Sequence, residues 1–143
     1  MTGVGRVVRR AALALPLAWF ALAVAAQDAT ATGVQQTARA WLALADRGDA
    51  AATYAAAGQQ FKAALTVERW TQALAVERNP LGTLERRSVL STKVQETSPG
   101  APDATYALVL FHTSFSKKTD ARETVTLARE SDGAWRVVGY VIR

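Results

Sequence analysis

The order of apolar and polar residues divides the chain into three consecutive parts. An apolar run extends from Ala11 to Ala25. Apolar residues then recur every three or four positions as far as Asn79, which predicts helices. From Leu84 onwards they approach strict alternation, which predicts strands. The pattern therefore predicts a helical part followed by a sheet.

Three helical regions are predicted between the apolar run and Pro80. Thr32 can cap the first, Asp49 the second, which runs through Tyr54, and Thr66 the last, because short polar side chains accept hydrogen bonds from the first turn. Gly58 interrupts the second region, and Asn79-Pro80 ends the last one because the residue before proline avoids helical angles. The apolar stripes are Val34, Ala38, Trp41, Leu42 and Ala45; then Phe61 and Leu65; then Val67, Trp70, Ala73 and Leu74.

Four strands are predicted after Gly82, joined by residues typical of turns. In the second strand both faces are substantially apolar: Val109, Phe111, Thr113 and Phe115 share one face, and Tyr106, Leu108, Leu110 and His112 share the other. Helices followed by strands indicate an α+β domain, with N-terminal helices packed on a four-stranded antiparallel meander sheet. The predicted strands are Leu84 to Glu96, Thr105 to Phe115, Glu123 to Glu130 and Trp135 to Ile142, with turns at 98–103, Lys117 to Asp120, and Asp132-Gly133.

The first 26 residues resemble an export signal. Arg6, Arg9 and Arg10 precede the apolar run, and small residues at 23–26 form a cleavage pattern. The run is shorter than the roughly 20 apolar residues that a spanning helix needs, and Pro16 interrupts it. We therefore expect a cleaved signal peptide (1–26) and one α+β domain (27–143), periplasmic or secreted, with residues 27–33 as a frayed leader. No cysteine follows the run, which argues against a lipid anchor.

Charge and cysteine content narrow the function. Three of the 17 basic residues lie in the predicted signal, whereas none of the 12 acidic residues does, so the mature domain carries a net charge of only +2. This charge does not indicate a nucleic-acid partner. With no cysteine, the domain depends on packing for its stability.

Several motifs in order resemble the exported bacterial domain-of-unknown-function family numbered 4019. They cover nearly the whole mature chain. The resemblance implies an α+β fold similar to cystatin-like or nuclear-transport-factor-like rolls, and it implies no activity, because such folds serve catalysis and binding alike. The motifs are Arg78-Asn79-Pro80-Leu81-Gly82, Thr113-Ser114-Phe115, Glu123-Thr124-Val125-Thr126, and Asp132-Gly133-Ala134-Trp135-Arg136-Val137-Val138-Gly139-Tyr140.

The residue content argues against most catalytic chemistry. His112 is the only histidine, and no cysteine or close acidic cluster accompanies it, so we expect no metal site. No nucleophile elbow and no glycine-rich phosphate or dinucleotide loop occurs, so we expect no cofactor.

Tyr106, His112, Arg136 and Tyr140 are the candidate ligand-binding residues, on the outer sheet face or the mouth of a roll. They predict a non-catalytic binding module for a small amphipathic ligand, a peptide or a protein, with a homodimer possible through the sheet face. One alternative is an isomerase, dehydratase or hydrolase that uses His112 as base, with Tyr106 or Tyr140 as hydrogen-bond donor. Another is a structural partner in the cell envelope.

Glu123 is predicted to form a structural ion pair with Arg78 or Arg87 at the edge of the sheet. Arg78 lies where the last helix ends, and Arg87 lies at the start of the first strand. An arginine held in this way could instead receive an anionic ligand. Trp41, Phe61, Trp70 and Trp135 are predicted to point into the core.

Overall fold

Helices occupy the first half of the chain and strands the second half. In a computed structural model, which describes residues 17–143, α1 spans Leu17–Asp46, α2 Ala50–Ala56, α3 Gln59–Ala64 and α4 Val67–Arg78. A short 3-10 helix, Asn79–Leu81, follows α4. The strands are β1 (Leu84–Gln95), β2 (Tyr106–Phe115), β3 (Lys118–Arg129) and β4 (Trp135–Ile142).

Polar side chains cap two of the helices at the predicted places. Asp49 accepts a hydrogen bond from the backbone N–H of Ala52 at the start of α2, and Thr66 accepts one from Arg69 at the start of α4. Gly82 follows the 3-10 helix with φ +79°, a conformation that glycine adopts without strain. The chain can therefore turn sharply from α4 into the sheet.

The predicted frayed leader is helical, which corrects the sequence interpretation. α1 continues through residues 27–33 without a break, although only Gln27, Ala29 and Ala31 in this segment favour helix. Ala26 to Ala29 are exposed, and Val34 is the first buried residue after them. The basic start of the predicted signal, with Arg6, Arg9 and Arg10, lies outside the described residues. None of the described helices is long and apolar enough to cross a membrane.

The strands form one antiparallel sheet in the order β1-β2-β3-β4. The α+β class and the four-stranded meander are thus confirmed. The predicted turn at Lys117 to Asp120 is too long, because β3 begins at Lys118 and pairs with Phe115. Register shifts interrupt β1 between Leu84 and Arg86 and again between Val89 and Ser91.

The helices cover one face of the sheet, which we call the inner face. The stripe of α1 from Val34 to Ala45 is buried against inner-face residues such as Val109, Phe111 and Val125. The indole rings of Trp41 and Trp70 lie 5.8 Å apart, and the ring of Phe61 meets that of Trp70 edge-on at 4.9 Å. The prediction that these three aromatics are core residues is confirmed. Trp135, in contrast, is only partly buried and packs at the margin of the core.

Thr53 accepts hydrogen bonds from both core indoles. Trp41 Nε1 donates to the Thr53 carbonyl oxygen at 3.0 Å, and Trp70 Nε1 donates to Thr53 Oγ1 at 2.8 Å. Thr53 is fully buried in α2. Because a buried indole N–H needs a partner, this residue fixes how α1, α2 and α4 meet.

Candidate functional site

Four charged side chains meet on the inner face where α1, α4, β1 and β3 converge. We call Asp46, Arg78, Arg87 and Glu123 the buried charge cluster. Their side chains are at most 16 % exposed, and that of Glu123 is fully buried. Two cations face two anions, so the cluster is neutral overall, as burial of charge requires.

The two arginines bridge the two carboxylates. Arg87 donates to both oxygens of Asp46, at 2.7 and 2.8 Å, and to both oxygens of Glu123, at 2.6 and 3.2 Å. Arg78 donates to Asp46 at 2.5 Å and lies 3.5 Å from Glu123. Its guanidinium also lies 4.9 Å from the ring centre of Phe115, a cation–π distance.

Two neutral side chains complete the cluster. Tyr140 donates from its hydroxyl to Glu123 at 2.7 Å and accepts from Arg78 at 3.3 Å. Thr113 donates to the other oxygen of Glu123 at 2.5 Å. Among the described residues, no buried side-chain nitrogen or oxygen lacks a hydrogen-bond partner. The cluster therefore presents no unpaired polar group to a ligand.

Ionisation in the cluster follows from burial and pairing. Burial alone would raise the pKa of Asp46, but the hydrogen bonds from Arg87 and Arg78 outweigh it and hold that pKa below its ordinary value. Burial, together with the negative charge of Glu123, raises the pKa of Tyr140 above its ordinary value. The phenol of Tyr140 therefore keeps its proton at neutral pH.

Tyr140 lies on the inner face, so its predicted place beside Arg136 on the outer face is wrong. The register of β3 and β4 shifts between Thr126 and Leu127. Thr126 pairs with Gly139, but Leu127 pairs with Val137, so Val138 is an extra residue without a partner in β3. A bulge of this kind reverses the alternation beyond it. Val137 and Tyr140, three positions apart, therefore both point inward.

Tyr106 is not exposed on the outer face, where it was predicted to bind a ligand. It is only 1 % exposed. Its hydroxyl donates to the carbonyl oxygen of Pro102 at 2.6 Å and lies 3.1 Å from Gln60 Oε1 of α3. The predicted outer-face position is covered, because the loop before β2 and the side chain of Gln60 close over it.

His112 and Arg136 lie at the surface, and their hydrogen bonds go to residues outside the charge cluster. His112, about a third exposed, lies 3.0 Å from Oδ1 of the exposed Asp120. Arg136 donates to Glu130 at 2.7 Å and to Asp132 at 2.8 Å. The structure thus brings Glu123, Arg78 and Arg87 together, but it does not bring together the four candidate ligand-binding residues.

Sequence reasoning missed Asp46 and Thr113. A signal existed for both. Asp46 lies four positions after Leu42 and so falls on the apolar stripe of α1, and Thr113 is the polar member of the inward face of β2. A polar residue on an otherwise apolar face indicates a buried partner.

A cleft of about 330 Å³ lies beside the charge cluster, between α4 and β4. We call it the α4–β4 cleft. Trp70 and Leu74 are buried beneath it, whereas Ala73 is exposed. Most of its lining is apolar; it consists of Leu65, Trp70, Ala73, Leu74, Glu77, Tyr140, Val141 and Ile142.

A wider depression of about 700 Å³ lies at the opposite end of the sheet. Part of its wall is an exposed stretch of α1 that includes Gln27 and Asp28, and part is the sheet end with Arg129 and Trp135. In residues 17–143, no group of three or more histidines, aspartates and glutamates lies close enough to hold a metal ion.

Comparison with protein families supports the sequence motifs. A family described as "Protein of unknown function (DUF4019)" matches residues 37–140. The chain belongs to this family. The matched DUF4019 region begins inside α1 and ends at Tyr140, so it contains the four residues of the charge cluster and its two neutral partners. No curated protein and no solved structure was found to match the chain.

Proposed function

We propose that this DUF4019 protein is a non-catalytic binding module whose ligand site is the α4–β4 cleft. The observation that carries the proposal is the contrast between the cleft and the charge cluster behind it. The cleft is open and mostly apolar, with Ala73 at its mouth, whereas each charged group of the cluster already has partners. Ligand pockets are typically apolar concavities with a few polar groups, and a volume of about 330 Å³ lies at the small end of their range.

The position of His112 favours binding over the enzyme alternative. His112 lies on the open sheet face, and its only side-chain partner among the described residues is the exposed Asp120. General acid–base catalysis needs a group held close to a bound substrate. Neither His112 nor Asp120 lines one of the two clefts described above.

The apolar start of the chain supports a site of action outside the cytoplasm. We propose that the signal is removed near Ala26 and that the domain works in the periplasm or after secretion. From Ala26 onwards the first buried residue is Val34, so the core residues from Val34 to Val137 all lie after the proposed cleavage site. Mass spectrometry of the protein from its own host should give a mature chain beginning at Ala26 or Gln27; a retained Met1 would contradict export by this route.

Blocking the cleft tests the binding proposal. Ala73→Trp should fill the mouth, whereas Ala75→Trp, on the same helix at an exposed position outside the cleft, is the matched control. We expect the uncharged dye Nile red to bind the wild-type chain and the control, and to lose at least about tenfold in affinity for Ala73→Trp. Equal dye binding by all three, or no binding by any, would contradict the proposal.

A further inference from the structure

The edge of β4 beside the cleft carries unpaired backbone groups. Arg122 and Arg143 exchange both of their backbone hydrogen bonds, at 2.9 and 3.0 Å. In an antiparallel pair, positions with such exchanges alternate with positions whose N–H and C=O point away from the partner strand. Tyr140 and Ile142, opposite Val125 and Glu123, are therefore positions whose backbone groups point outward from the sheet.

The chain itself already uses this edge at its other end. The backbone N–H of Gly58, between α2 and α3, donates to the carbonyl oxygen of Val137 at 2.8 Å. A side chain at Gly58 would meet Glu130 Oε1 at 2.8 Å and Val138 Cγ1 at 3.0 Å, so glycine permits this approach. Within residues 17–143, no backbone group of another element reaches Tyr140 or Ile142 in the same way.

The cleft lies along this free part of the edge. The side chains of Tyr140 and Ile142 belong to the inner face and line the cleft, with Ala73 and Trp70 of α4 opposite. An extended segment laid beside β4 would direct every second side chain into this space. The charged residue of the cleft lining is Glu77, which is exposed.

We propose that the occupant of the α4–β4 cleft is an extended peptide, which adds a short strand to β4 at Tyr140 and Ile142. The inference rests on the proposed function. One apolar side chain of the peptide enters the cleft, and a neighbouring lysine or arginine pairs with Glu77. Strand addition of this kind takes affinity from backbone hydrogen bonds and specificity from the pocket for alternate side chains.

N-methylated peptides test the backbone pairing directly. The probe is a pool of blocked hexapeptides with apolar residues varied at alternate positions and one lysine, selected on the wild-type chain. The tightest peptide is then made in two forms, N-methylated at its odd or at its even amides. We expect one form to lose at least about tenfold in affinity and the other to bind like the parent, because only one edge of the peptide faces β4.

Amide hydrogen exchange locates the bound peptide. Binding should slow exchange at Tyr140 and Ile142, while Val141, which pairs with Thr124 of β3, should change little. Ala73→Trp should abolish peptide binding, and Ala75→Trp should retain it. Glu77→Gln should weaken the lysine-containing peptide more than a matched peptide without lysine.

Three results would overturn the peptide inference. The first is the absence of any peptide that binds, and the second is equal affinity of both N-methylated forms. The third is a stable dimer in which Tyr140 and Ile142 are protected without peptide, since a second copy would then occupy the edge. If Nile red still binds in a manner that Ala73→Trp blocks, the proposed cleft function survives while the peptide inference fails.

Discussion

The buried charge cluster and the surface group around Arg136 use the same chemistry in two environments. In each, arginine nitrogens contact two carboxylates at 2.5 to 2.8 Å. Glu123 is fully buried, whereas the side chain of Asp132 is 55 % exposed. Distances alone therefore say little about stability. Water screens the surface pairs, but the buried charges depend on one another and on the neutral donors Tyr140 and Thr113.

The largest effect is expected for Glu123→Gln. The substitution removes one of two anions that face Arg87 and Arg78 and leaves a buried positive charge without a counterpart. We expect the free energy of unfolding to fall by about 3 kcal/mol, measured by urea denaturation. Asp132→Asn, which removes the exposed anion of the surface group, is the control. An unchanged melting temperature for Glu123→Gln would argue against a structural role.

The acid limb of the stability curve should depend on Asp46. Because its pKa is lower in the folded chain than in the unfolded chain, its contribution is fully present above the unfolded value, about 3.9, and is lost as pH falls through the folded value. Asp46→Asn should be less stable than the wild type at pH 7, and the two stability curves should converge below about pH 4. Thermal melts from pH 2 to 7 measure both curves. Parallel curves would show that Asp46 is not coupled to the arginines.

Thr53→Val measures how much stability is lost when a buried hydrogen bond between neutral groups is removed, with no change in charge. It removes the partner of Trp70 Nε1 in the same interior without changing any ionised group. We expect a loss of about 1–2 kcal/mol, smaller than that of Glu123→Gln, because a neutral donor costs less to leave unpaired. Thr71→Val, at an exposed site on α4, is the control. A loss for Thr53→Val equal to that for Glu123→Gln would mean that burial, and not charge, dominates the interior.

The smallest effect is expected for Arg136→Ala. The pKa of Asp132 is lowered to about 2, first by its hydrogen bond with Arg136, but both partners are open to solvent. We expect a melting temperature within about 2 °C of the wild type, by circular dichroism at moderate salt. A shift as large as that of Glu123→Gln would remove the distinction between the two groups.

Periodicity was sufficient to predict the order of elements, because each stripe or alternation reflects one buried face. The stripe of α1 and the buried side of β2 follow directly from this rule. The inward turn of Tyr140 could not be predicted in this way. It depends on an extra residue at Val138 in the pairing with β3, and the sequence of β4 alone does not specify where that pairing skips a residue.

Only part of the candidate site could be predicted from the sequence, for a related reason. Glu123, Arg78 and Arg87 stood out as charges at the ends of elements. Asp46 was marked only by its place on the apolar stripe of α1, and its arginine partners could not be identified without knowing that α1 and α4 end side by side. The α4–β4 cleft arises from the spacing of two elements that are distant in the sequence; Arg78 and Tyr140, which are hydrogen-bonded, are 62 positions apart. No local pattern in the sequence records that spacing.

The two register shifts in β1 have a consequence for how the protein behaves in concentrated solution. A long, regular outer strand is a template on which further chains can aggregate. In β1 the ladder is interrupted near Glu85 and again near Leu90, and the strand carries Arg86 and Lys93. A neighbouring molecule therefore meets an irregular border with exposed charged side chains, Glu85, Arg86 and Lys93, and we expect the sheet to resist polymerisation from that side.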